Sequence, residues 1–158
     1  MLHAFNLKKL VTSIFIPVAV GLLSWLLTKD SMNIYSEIIS PPLSPPGFIF
    51  PIVWSILFVL MGVSLYLVRE TKGNDELKRK GYIIFGTQLL FNFLWSIVFF
   101  NFRWFLFSAI WLILLIGLII FNILYFGKIN ETAGLLLVPY LLWCSFALYL
   151  NIGIFILN

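Results

Sequence analysis

The sequence predicts an all-α membrane protein: one bundle of five transmembrane helices with a long first outside loop acting as a lid. Three observations carry that expectation. Of the 158 residues, 62% are hydrophobic and only 10% are charged, whereas soluble domains carry about 25% charged residues. Five stretches are free of Asp, Glu, Lys and Arg, and each reaches the ~17 to 25 residues that an α-helix needs to cross ~30 Å of hydrocarbon. Between the first two lies "SPPLSPPG", with four prolines in seven residues. A chain this short leaves no room for a second domain beside the spans, so a single domain over residues 1–158 is expected.

The first span is expected at about residues 10–28. Lys8 and Lys9 precede it, as in a signal peptide, but the apolar run exceeds the ~7 to 15 residues of a signal core. The second is expected at about 48–68, the third at 81–102, the fourth at 104–127 and the fifth at 132–157. Helices are read throughout because only internal hydrogen bonding lets backbone polar groups enter lipid. The first loop, about Lys29 to Gly47, is long for this chain, and Pro41, Pro42, Pro45 and Pro46 stiffen it into a low-entropy extended arm. The charged run "RETKGNDELKRK", Arg69 to Lys80, reads as a solvated loop. His3, the only histidine, reads as a solvent-exposed tail residue.

Charge supplies a direction. Five spans put the N-terminus and the two even-numbered loops on one side, which carries Lys8, Lys9, Arg69, Lys72, Lys78, Arg79, Lys80 and Lys128, against Lys29 and Arg103 opposite. The positive-inside rule then places the N-terminus in the cytoplasm and the C-terminus outside, in an expected bacterial cell membrane. The net charge of +4 is too small and too localised to point to nucleic acid. Cys144, the only cysteine, lies in an apolar run, which excludes an internal disulfide and argues against a metal site. The spans hold no acid and no histidine, so general acid-base catalysis lacks its usual groups.

Uncommon residues gather in the outer half. With a rise of 1.5 Å per residue, Trp54 sits about 9 Å inside the outer end of the second span, while Asn92 and Trp95 lie about 16 and 21 Å from the inner end of the third. Gln88, Asn92, Trp95 and Ser96 form one helical stripe; Tyr140, Trp143, Ala147 and Asn151 form another. The amides Gln88, Asn92, Asn122 and Asn151 either bond between helices or line a cavity. Trp25 and Trp104 fit the role of interface anchors, whereas Trp54, Trp95 and Trp143 lie deeper. Ala147, small on the Trp143 stripe, leaves room for a ring.

Three blocks make the sequence recognisable. "PPLSPPGFIFPIVWSILFVLMG", "QLLFNFLWSIVFF" and "AGLLLVPYLLWCSFALYLN" resemble the first loop and second helix, the third helix and the fifth helix of the translocator protein family, also called tryptophan-rich sensory proteins or TspO/MBR. Leu43 and Phe48 stand where the family often has tryptophan, and Phe58 replaces a common tyrosine. The resemblance implies a membrane protein that binds tetrapyrroles, protoporphyrin IX or haem, or synthetic isoquinoline carboxamides, in a pocket under the first loop, acting in sensing or translocation. It implies a ligand set of Tyr35, Pro45, Phe48, Trp54, Asn92, Trp95, Tyr140, Trp143, Ala147, Leu150 and Asn151, with Lys29 and Arg103 as rim cations for propionates or as headgroup anchors. It also implies an alternative, light- and oxygen-dependent degradation of protoporphyrin IX, for which the indoles of Trp54 and Trp143 would be the catalytic groups. A scaffold that regulates a membrane partner is the third possibility. No cofactor beyond the ligand and no metal is expected; membrane lipid and a second copy in a homodimer are the expected partners. Sterol is disfavoured: "VSLYLVR", Val63 to Arg69, fits a weak cholesterol pattern, but no basic residue follows Tyr149.

Overall fold

The computed structural model describes residues 5–158; His3 lies outside them. Among the described residues, five helices are long and apolar enough to cross a membrane: Leu7–Ser31, Ile49–Glu70, Asp75–Asn101, Phe105–Ile129 and Glu131–Leu157. No strand occurs among the described residues. We call them the first to fifth spans.

The ends depart from the expected ones where polar residues cap helices. The third span begins at Asp75, not Gly81, because the Asn74 side chain accepts from the backbone N–H groups of Glu76 and Leu77 at 2.8 and 3.1 Å. Such a cap satisfies donors that a helix start leaves unpaired. The run from Arg69 to Lys80 is therefore mostly helical, with only Thr71–Asn74 outside helices, and Glu76 and Lys80 pair one turn apart at 2.9 Å. The fifth span is broken into Glu131–Leu135 and Val138–Leu157. Pro139 explains the break: lacking an N–H, it fits the first turn of a new helix and not the interior of a continuing one. The third span ends in a π-helical turn, Ile97–Asn101, and Arg103 follows with φ 55°.

The first span packs against the second and the third, and the fourth packs between the third and the fifth. Small residues permit close approach. A β-carbon on Gly62 would overlap the Ile14 backbone, and one on Gly134 would lie 2.8 Å from the Gly127 Cα. The second span meets the fifth at its short first piece, where Ser64 Oγ donates to the Ala133 carbonyl at 2.6 Å. Beyond that point the two part, and side chains fill the space between their backbones.

Two ends can be distinguished. The basic end holds residues 71–74 and the start of the first span, where Lys9 pairs with Glu70 at 2.7 Å. Arg69 there donates to Thr12 Oγ1, Ser13 Oγ and the Lys9 carbonyl at 2.9, 2.8 and 3.2 Å, so the basic residue of the "VSLYLVR" pattern serves a contact between spans. The loop end holds the end of the first span, a 3₁₀ turn at Lys29–Ser31, and the connection to the second span, which contains one helical turn at Ile34–Glu37.

Candidate functional site

Where the second and fifth spans part, aromatic rings connect them. Tyr35 of the loop meets Phe50 edge-on at 5.1 Å between ring centroids, and Phe50 meets Trp143 edge-on at 5.8 Å. Deeper, Trp54 stacks on Phe58 at 5.6 Å and turns its edge relation to Tyr140 at 6.1 Å. Such offset and edge contacts suit the ring quadrupoles and stabilise each pair by about 0.5 to 1.5 kcal/mol beyond burial. A groove of about 470 Å³ runs alongside, lined by Val53, Ile56, Leu57 and Leu60 of the second span and Pro139, Leu142, Trp143 and Phe146 of the fifth.

The amides behind the rings are organised into two networks. Tyr140, buried, donates its hydroxyl to Gln88 Oε1 at 2.7 Å and accepts from Asn92 Nδ2 at 2.9 Å. One phenol thus satisfies two amides from the third span. Asn151 accepts from Trp95 Nε1 and from Ser108 Oγ, both at 3.1 Å, and donates to the Phe105 carbonyl at 2.8 Å. Interhelical bonding therefore accounts for Gln88, Asn92 and Asn151, the first of the two readings their positions allowed. Buried polar groups left without partners cost about 1 to 3 kcal/mol each, so these networks fix the register of the third, fourth and fifth spans. Two groups stand outside them: Asn122, fully buried, has neither amide atom bonded, and the buried Trp143 Nε1 has no acceptor.

The proline arm is fastened to the fifth span. Tyr149 donates its hydroxyl to the Pro42 carbonyl at 2.7 Å. Pro41 seats against Gly153, where an added β-carbon would come within 2.6 Å of the proline ring. The Asn158 side chain accepts from the Ile39 N–H at 3.0 Å and donates to the Ile39 carbonyl at 2.9 Å. Residues 39–42 thus run along the last turns of the fifth helix, antiparallel to it. Within the arm, Tyr35 donates to the Pro45 carbonyl at 3.3 Å.

The expected ligand residues divide accordingly. Tyr35, Pro45, Trp54, Tyr140 and Trp143 come together between the second and fifth spans and the arm. Ala147 and Leu150 are buried in the packing of the fifth span, and Asn92, Trp95 and Asn151 belong to the networks behind it. Phe48 is 65% exposed and does not join the group. Lys29 lies over the Trp25 ring at 5.8 Å, and Arg103 pairs with Glu37 at 3.1 Å. Sequence reasoning missed Phe50 and Phe146 as links in the ring row, and Tyr149, Gly153 and Asn158 as the grip on the arm.

The profile of the TspO/MBR family matches residues 13–157. The chain is 38% identical to the tryptophan-rich protein TspO of Chlorobaculum tepidum over 130 residues, 82% of each chain. It is 36% identical to the tryptophan-rich protein TspO of Archaeoglobus fulgidus over 154 residues, 97% of this chain and 99% of the other. Similarity extends to the translocator protein of Ovis aries, 30% identical over 118 residues, 74% of this chain and 70% of the other.

Proposed function

From the premise that this chain belongs to the TspO/MBR family, we propose that it binds protoporphyrin IX, haem or a similarly flat apolar molecule between the second and fifth spans, beneath the proline arm, and acts in its sensing or translocation. The observation that carries this reading is the ring row Tyr35, Phe50 and Trp143 beside Trp54 and Tyr140. Ligand sites combine apolar walls with a few polar groups that fix orientation. Here the walls are aromatic, and Trp143 Nε1 is a donor with no acceptor of its own. In this reading the arm is the lid, the N-terminus lies in the cytoplasm and the arm faces outside. Titration of the purified protein with protoporphyrin IX tests the binding: a saturable spectral shift is expected, weakened in Trp143→Ala, which removes a ring of the row. An unsaturable, linear response identical to that of empty detergent would remove the reading.

The same unpaired indole supports a second reading, light- and oxygen-dependent degradation of the bound porphyrin. The porphyrin would absorb the light and oxygen would be the oxidant. Trp143 or Trp54 would give one electron to the excited ring, and oxygen would take that electron to become superoxide. The oxidised indole would recover an electron from the ring, and superoxide would add to the ring cation so formed, for a net addition of oxygen to the porphyrin. Illumination under oxygen should then yield product that falls in Trp143→Phe while binding persists. Product formation undiminished in that variant would take the indole out of the chemistry.

A further inference from the structure

The loop end and the lipid-facing side of the candidate site differ in how they are closed. At the loop end, the arm is fastened to the fifth span at three successive points, Tyr149, Gly153 and Asn158, and to the start of the fourth span through Glu37 and Arg103. The arm is not extended throughout, as its prolines suggest: it turns at Pro42 and Leu43, where the Ser44 N–H donates to the Pro41 carbonyl at 3.3 Å and Leu43 has φ 67°. Its four fixed proline φ angles still reduce the conformational entropy that opposes the fastened state. On the side, among the described residues, the second and fifth spans are hydrogen-bonded to each other at their basic ends, through Ser64 and Ala133, and above that point they are bridged by ring contacts without a hydrogen bond, Phe50 with Trp143 and Trp54 with Tyr140. Above that junction the groove between them is apolar, and its edges, Ile56 and Leu142, are 57% and 65% exposed. Trp143 belongs both to this groove and to the ring row, so groove and site are continuous.

We infer that the seam between the second and fifth spans is a lateral portal, through which a flat apolar molecule dissolved in the bilayer reaches the site while the arm stays fastened. This inference rests on the binding proposed above and adds its route. The chemistry suits the route: a molecule of that class partitions into hydrocarbon, and the groove offers it a continuous apolar path with no charged side chain. Side chains bridging the seam move by rotamer changes, whereas lifting the arm requires loss of several hydrogen bonds together. The arm and the fifth span then move as one body relative to the second span.

Two clamps separate the routes, with protoporphyrin IX as the probe and the protein in lipid nanodiscs. The first carries Ile56→Cys and Leu142→Cys joined by a short bis-maleimide; the buried Cys144 is left in place. The second carries Ile39→Cys and Asn158→Cys joined as a disulfide, holding the arm shut. Bridging the seam should slow association and dissociation together, by about tenfold or more, and leave Kd nearly unchanged, because a gate changes the barrier and not the end states. Shutting the arm should leave both rates as in the unlinked protein. Leu142→Trp, which adds bulk at the groove edge without a cross-link, should slow association in the same direction and guards against a clamp that distorts the fold. Slowing by the arm clamp, or rates unaffected by both the seam bridge and Leu142→Trp, overturns the portal while leaving the binding proposal intact. Absence of binding to the unmodified protein overturns both.

Discussion

The two halves of the bundle are held together differently. Toward the basic end, helices touch through glycine and small residues: Gly62 against Ile14, Gly134 against Gly127, Gly81 against the Phe126 ring, and Ser64 bonded to Ala133. Toward the loop end, the second and fifth spans part, and rings, amides and the proline arm make the connections. In lipid, where hydrophobic burial does not drive helices together, association comes from close packing and interhelical hydrogen bonds. Close approach of span backbones through glycine belongs to the basic half, where Ser64 and Arg69 also bond between spans, whereas the loop-end half relies on side-chain bridges. A half closed by backbone contact leaves no space, whereas a half bridged by side chains can yield to a ligand.

The comparison predicts unequal responses to substitution. The largest effect is expected at the closed junction: Gly134→Val would drive methyl groups into the Gly127 backbone and the Ile123 carbonyl, neither of which can rotate away. Overpacking of this kind costs about 1 to 3 kcal/mol or more, and a lowered thermal midpoint in detergent, with loss of folded yield, is the readout. Equal stability would show that the fourth and fifth spans separate easily there.

Next comes Tyr140→Phe, which removes the hydroxyl between Gln88 and Asn92 and leaves two buried amides to find each other. A loss of about 1 to 3 kcal/mol is expected. The double variant Tyr140→Phe with Gln88→Leu should recover part of it, since one stranded amide is then gone. Additive losses would mean that the phenol and Gln88 act independently.

The smallest effect on stability is expected in the arm. Tyr149→Phe or Asn158→Ala removes bonds made at exposed positions, each contributing about 0.5 to 1.5 kcal/mol. The thermal midpoint should barely move, while proteolysis between Ile39 and Leu43 should accelerate. Unchanged cleavage in the combined variant would show that other contacts hold the arm.

The sequence made the spans legible because charge-free runs of membrane length have few alternative fates. It also made the stripes legible, since Asn92 and Trp95, or Tyr140, Trp143 and Ala147, are fixed by helical period alone. What it left hidden depends on tertiary register. Whether Asn92 lines a cavity or bonds to Tyr140 turns on how the third and fifth spans cross, and residues 48 positions apart carry no local mark of that. Charge on the first turns of the third span hides its start, although Asn74 supplies the cap. The arm's stiffness was readable from its prolines; its attachment to Tyr149 and Asn158, 107 and 119 positions away, was not. Phe48 misled because its position in the motif says nothing of which way it faces, and it faces outward.

The central claim is that the loop-end half, between the second and fifth spans, is where this protein holds a ligand. Two tryptophans test it: Trp143 in the ring row, and Trp25, which is 48% exposed on the first span. Protoporphyrin IX titrations of Trp143→Ala and Trp25→Ala in nanodiscs should differ. Loss of one aromatic contact and its indole donor should raise Kd about tenfold in Trp143→Ala, and Trp25→Ala should match the unmodified protein. Equal Kd values in both variants would contradict the account and place the ligand elsewhere in the bundle.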